Sequence, residues 1–276
     1  MSGRIARALP AILVFALLAH GCGRTDRPAA AARAARVMVV ERYFEQSLDG
    51  CAPGDSGCAW VRISHPHVVS GPSRAAVDSM NAWIRGTVLE PSEGEDSVAT
   101  DAAAWAATFL ARNRSFRRDY PDAASAAWYE RRAMVLHGDT LGVTCFRYTH
   151  ERHGGGAHPL TEVFYQCFDS QTGRSLTLDD LLVPGARAAL DSIGEVVFRR
   201  ERAIPAGQRL RDAMFTFEGD RFRAGDNVGL GAAGLTIEFN PYEIAPYAAG
   251  PTSLVLPWSE VRWLLELPRR PVPSPR

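Results

Sequence analysis

Lysine is absent from this 276-residue sequence, so all 31 basic residues are arginine. Lysine-based nucleophilic and Schiff-base chemistry is therefore excluded. The absence, alongside abundant alanine, follows codon bias in a GC-rich genome. Asp and Glu also total 31, which sets the formal charge at zero. That balance argues against nucleic acid as a partner, because duplex binding relies on a basic face. No apolar run reaches the roughly 20 residues of a membrane-spanning helix. Cysteine is scarce, at five residues, and no Cys-x-x-Cys knuckle occurs, so the spacing does not supply a four-thiolate zinc site. No internal repeat is evident.

The first residues carry Arg4 and Arg7, an apolar run from Ala8 to Ala19, and the small-residue ending Ala19-His20-Gly21-Cys22. That order reads as a signal peptide over residues 1–22, with a lipobox that places Cys22 as the lipid-bearing residue. Residues 23–36, rich in alanine and arginine without apolar periodicity, read as a tether. Gly23 lacks the aspartate that retains lipoproteins in an inner membrane, which points to the outer membrane where a cell has two. Beyond Cys22, the cysteines at 51, 58, 145 and 167 are even in number in a chain expected to leave the cytosol. Of the three pairings, Cys51–Cys58 with Cys145–Cys167 is favoured.

Val37 to Phe44 and Ala59 to Ile63 alternate apolar and polar residues and predict strands flanking the loop from Cys51 to Cys58. Pro72-Ser73 opens a helix with Val77, Met80, Ile84 and Val88 on one face, and a second helix repeats Trp105, Phe109, Arg112 and Phe116. Trp128 and Tyr129 are assigned to a loop or turn. Strands are expected at Ala133–His137, Leu141–Thr149 and Leu160–Phe168, with a turn at Gly138-Asp139. The last two strands enclose Gly154-Gly155-Gly156 and set Cys145 opposite Cys167, the separation a disulfide needs. A third helix carries Leu190, Ile193 and Val197, strands follow at Leu235–Phe239 and Ser253–Leu256, and a closing helix surrounds Val261–Leu265. The fold class is α+β, with mixed or antiparallel sheets packed against several helices. Two subdomains are expected, at 37–132 and 133–267, before a loose tail at 268–276.

Several motifs suggest chemistry and are better explained by structure. Gly54-Asp-Ser-Gly57 resembles a serine-protease nucleophile motif, but the only upstream histidine, His20, leaves with the signal peptide. A disulfide-closed turn explains it. Gly229-Leu-Gly-Ala-Ala-Gly234 fits the dinucleotide fingerprint by letter, yet a strand follows where a helix is required. It reads as a flexible loop. His65-Pro-His67 reads as a strand end, and Asp179-Asp180 as helix capping. His150, His153 and His158 with Glu151 surround the glycine-rich tip, where they could contact a polar ligand or hold zinc.

Ordered blocks run along the C-terminal half. They are Thr149 to Pro159, Phe168-Asp169 with Thr172-Gly173-Arg174, Leu176-Thr-Leu-Asp-Asp-Leu-Leu182 and Gly234-Leu-Thr-Ile-Glu-Phe239, then Tyr242-Glu-Ile-Ala-Pro-Tyr-Ala-Ala-Gly-Pro251 and Leu256-Pro257-Trp258. In these the chain resembles the RsiV-like envelope domains, which also occur ahead of the catalytic domain in the deacetylase PdaC. The N-terminal half matches more loosely, near Ser64-His-Pro66 and Phe116-Arg-Arg-Asp-Tyr120. It departs at Cys51 to Cys58 and His150 to His153. The resemblance implies a non-enzymatic envelope domain that binds a peptidoglycan fragment or a lysozyme-like protein. Expected ligand contacts are His150, His153, Gly155, Gly156, His158, Tyr242, Glu243 and Tyr247. No catalytic set, metal or cofactor is expected. The partners are then the membrane, through the lipid, and an envelope component. The alternatives are an envelope hydrolase acting on glycan or acyl groups through the histidines, and a purely structural assembly module.

Overall fold

The computed structural model describes residues 36–91, 99–123 and 127–268. The signal peptide, Cys22, the tether and nearly all of the tail lie outside the described residues. Among those residues, no helix is long and apolar enough to cross a membrane.

Strand β1 (Met38–Ser47) pairs antiparallel with β2 (Ala59–Ser70), and Cys51 and Cys58 close the intervening loop with a disulfide. The second strand runs past the expected end at Ile63 and takes His65-Pro66-His67 with it. Pro66 is tolerated because β3 pairs with β2 only as far as Ser64, so no ladder hydrogen bond is lost on that side.

Two helices then form the crossover to a parallel neighbour. In α1 (Arg74–Val88), Ala76, Met80, Ile84 and Val88 are buried one turn apart, and Ser73 caps the start by accepting the Ala76 N–H. In α2 (Ala102–Asp119), Asp101 does the same for Ala104, while Trp105 and Phe109 turn inward. Arg112, expected on that inner face, is exposed.

The crossover ends in β3 (Trp128–Thr140), which begins with the two aromatics assigned above to a loop. It runs antiparallel to β4 (Val143–Gly154), followed by β5 (Leu160–Asp169) and the short β6 (Ser175–Leu176). The six strands form one sheet in sequence order. Gly138-Asp139 lies inside β3 beside a register irregularity, and the chain reverses instead at Leu141-Gly142, both at positive φ. Residue 133 therefore falls within a strand, and the two expected subdomains share this sheet. Two cores form, one on each face of it, and the helix-side core draws on both expected segments. Met80, Ile84, Phe109, Met134, Phe146 and Phe168 pack on the helix side. Val143, Cys145 and Cys167 belong to the other cluster, as the alternation of side chains along a strand requires.

That second core is completed by α3 (Leu178–Leu181), α4 (Arg187–Glu201) and a three-stranded antiparallel sheet. Its strands are β7 (Val228–Leu230), β8 (Gly234–Phe239) and β9 (Thr252–Pro257). Asp180 caps α3 reciprocally with Thr177, so the capping expected of the Asp pair falls to Asp180, while Asp179 accepts from Arg187. The closing helix is shorter than expected, a single turn α5 (Trp258–Val261) followed by a 3-10 turn at Arg262–Leu264.

Gly229-Leu-Gly-Ala-Ala-Gly234 is no flexible loop. It holds the end of β7 and a turn closed by Gly231 N–H on Gly234 O. A Cβ at Gly229 would lie 2.2 Å from the Tyr165 ring, one at Gly231 2.7 Å from His137, and one at Gly138 2.2 Å from Leu230 O. These glycines let β7 lie directly on the large sheet. Beside it, the exposed backbone of β5 is met by two side-chain amides. Asn240 accepts from Val163 N–H at 2.7 Å and Asn227 from Tyr165 N–H at 2.8 Å, and both donate to Val163 O. Side chains thus seal a sheet edge where a strand would otherwise be needed.

Candidate functional site

On the helix-facing side, β3 presents Trp128, Glu130, Arg132 and Met134 in alternation. The residues opposite Glu130 and Arg132 in β4 are Arg152 and His150, and His150 in turn faces Glu162 of β5. Register alone therefore assembles a charged row across three strands.

Arg132 is 2% exposed and Glu130 4%, so both charges have left water. Isolated, each would cost several kcal/mol. Arg132 donates to Val88 O at 3.1 Å and Glu90 O at 2.7 Å, satisfying carbonyls at the end of α1, and its guanidinium lies 4.0 Å from the Trp105 ring centroid. The Glu130 carboxylate sits 3.5 Å from Arg132 Nε and 2.5 Å from His150 Nε2. On its other side, His150 Nδ1 faces Arg152 Nη1 at 3.3 Å, and that same arginine nitrogen donates to Glu162 at 2.7 Å. An arginine can only donate, so Nδ1 accepts and Nε2 carries the hydrogen toward Glu130.

This row floors a cleft of about 750 Å³ bounded by Thr87 and Glu90 from the α1 side and by Phe109 and Arg112 of α2. Aromatic walls come from Trp128, Tyr148 and Phe164. Tyr148 and Phe164 are cross-strand neighbours with centroids 6.4 Å apart, and burial pushes the Tyr148 phenol well above its ordinary range. Phe164 remains 40% exposed. Tyr129, at the margin, is raised to about 12 by burial and by its hydrogen bond to Glu151.

Of the expected contacts, His150, His153, Gly156 and His158 line the cleft. The histidines do not converge. His153 Nε2 lies 2.9 Å from Gly156 O, and His158 Nδ1 lies 3.1 Å from Pro159 O. Among the described residues, no three His, Cys, Asp or Glu side chains are grouped to hold a metal. Tyr247 stacks on His158 with centroids 3.8 Å apart and donates to Pro159 O, and Tyr242 reaches His158 through its hydroxyl at 3.4 Å. Glu243 turns away and accepts from Asn240 N–H. Gly155, at φ +78, shapes the tip. Sequence reasoning passed over Glu130, Arg132, Arg152 and Glu162, although two opposite charges on the apolar face of Trp128-x-x-x-x-x-Met134 were a readable signal.

Residues 179–259 match the family model described as a protein of unknown function, DUF3298, so the chain carries a DUF3298 domain there. A DUF3298 family protein from Pseudomonas aeruginosa PAO1 superposes with a TM-score of 0.59 at 19% identity, over 85% of this chain and 98% of that one. A member from Bacteroides fragilis NCTC 9343 gives 0.62 at 16% identity, over 84% and 95%. No curated protein matches. At these identities the likeness is one of fold. The matched segment supplies Asn227, Asn240, Tyr242 and Tyr247, whereas the floor of the cleft precedes it.

Proposed function

We propose that this chain is an exported lipoprotein, lipidated at Cys22, whose domain binds peptidoglycan fragments in the cell envelope without converting them. The observation that carries the reading is the cleft on β3–β5. The charges of its floor are matched internally, Glu130 by Arg132 and His150 and Glu162 by Arg152. What it offers a ligand is therefore a mixture of donors, acceptors and aromatic walls, which suits a polyhydroxylated, amide-bearing molecule better than a compact ion. The likeness of its motif blocks to RsiV-like and PdaC domains supports the envelope setting. The signal-peptide pattern supports attachment to a membrane, and Gly23 supports an outer-membrane address.

Pull-down of the purified chain on peptidoglycan is the test, with lysozyme as the parallel bait. Retention on peptidoglycan that falls with Phe164→Ala supports the reading. Retention on lysozyme alone replaces it with a protein-binding role, and retention on neither rejects it. Labelled palmitate should enter the wild type and not Cys22→Ala.

A further inference from the structure

We infer that the ligand is a glycan chain longer than the cleft, and that Tyr242, backed by Tyr247, is the stacking platform for sugar residues that leave it. The inference rests on the cleft reading above and adds to it a substrate class and a second contact point.

Tyr242 occupies φ +71, a left-handed conformation that costs a non-glycine residue on the order of 1 kcal/mol. Burial does not repay that cost, because the residue is 60% exposed. The turn around it is closed twice, by Glu243 N–H on Asn240 O at 3.1 Å and by Asn240 N–H on the Glu243 carboxylate at 2.9 Å. The chain therefore holds a large aromatic side chain out in solvent, in a conformation it would not choose alone.

Its placement gives that ring a use. Tyr242 lies 5.7 Å from Tyr247 between ring centroids, and its hydroxyl points to His158 Nε2. Tyr247 is fixed by its stack on His158 and its hydrogen bond to Pro159 O at 2.7 Å. His158 itself lines the cleft. A rigid row of rings thus runs outward from the cleft and ends on an exposed one. A pyranose ring carries an apolar C–H face that stacks on aromatic rings, with hydroxyls at its rim for the phenol and imidazole nearby. The Glu243 carboxylate accepts from the Asn240 N–H and so serves to hold the turn that presents the ring.

The test measures binding of neutral N-acetylglucosamine oligomers, a disaccharide and a hexasaccharide, to the full chain in detergent. Three variants are compared: Tyr242→Asn, which tolerates the left-handed turn, Tyr242→Phe, which keeps the ring, and Phe164→Ala inside the cleft. Tyr242→Asn should weaken the hexasaccharide roughly tenfold, the loss of one stacking contact of about 1.4 kcal/mol, and leave the disaccharide unchanged. Tyr242→Phe should keep most of the hexasaccharide affinity that Tyr242→Asn loses. Equal binding of the hexasaccharide by Tyr242→Asn and wild type overturns the platform. The cleft reading then stands or falls separately, on whether Phe164→Ala weakens the disaccharide. Binding of neither oligomer by wild type overturns the glycan assignment, whatever peptidoglycan retention shows.

Discussion

His150 Nε2 lies 2.5 Å from Oε2 of Glu130, at a point where the glutamate is closed off from water. With Arg132 Nε 3.5 Å away, the histidine is the nearer of the two partners of this carboxylate. Its removal leaves a buried acceptor short of a donor, a loss of about 1–3 kcal/mol. His150→Ala should lower the free energy of urea unfolding by that amount, and His150→Gln, which keeps a donor, should recover part of it. A midpoint unchanged in His150→Ala would mean that Arg132 alone compensates Glu130.

Packing between the sheets depends on Gly229, where a Cβ would lie 2.2 Å from the Tyr165 ring. Gly229→Ala should therefore cost about 2 kcal/mol or more. Gly156 is the control, since nothing lies within 4 Å of its Cβ position, and Gly156→Ala should melt with the wild type. Equal melting temperatures for both variants would show that the small sheet shifts freely.

Burial, and then Arg147, hold the His137 imidazole below its ordinary 6.5, and among the described residues its Nε2 has no hydrogen-bond partner. The neutral ring is thus the form the fold accepts. Its contribution is present above the unfolded value and is lost as pH falls through the folded one. Wild-type stability should drop as pH falls below the ordinary histidine value of 6.5, and His137→Phe should flatten that part of the profile. An unaltered profile would assign the acid sensitivity elsewhere.

The two disulfides close loops of unequal length, with partners 22 positions apart for Cys145–Cys167 and 7 for Cys51–Cys58. Chain entropy alone makes them worth roughly 3 and 2 kcal/mol. Paired replacement by alanine should follow that order in denaturant unfolding. A larger loss at Cys51 and Cys58 would indicate that their loop is structurally coupled to the core.

Helix α1 was legible because its burial repeats at a single-helix period, and the pairing of Cys145 with Cys167 because a glycine-rich tip sets the register of β4 on β5. The turn at Leu141-Gly142 was not, because a leucine at positive φ carries no sequence signal, while Gly138 drew attention for the wrong reason. Its lack of a side chain answers to Leu230 O, which approaches from a strand far along the chain. The Gly229 fingerprint misleads in the same way, since Tyr165 and His137 explain it from the other sheet. Half of the cleft was visible, through histidines near a hairpin tip. Glu130 and Arg132 escaped because Trp128 and Tyr129 were assigned to a loop and the strand was expected to begin only at Ala133, although alternation with Trp128 and Met134 places them inside. Tyr242 and Tyr247 meet His158 across more than a single supersecondary unit, and only resemblance to other sequences brought them together.

The Cys145–Cys167 bond faces the second core, with Cys145 fully buried and Cys167 2% exposed. The Leu230 N–H rests 3.3 Å from Cys145 Sγ, and Leu230 comes 85 positions later in the chain. The lid over this cystine is thus made of residues that emerge after it. Oxidation has to take place on a half-assembled domain, while the last strands are still undocked. Once β7 settles, neither an oxidant nor a reductant reaches the sulfurs until the small sheet lifts away.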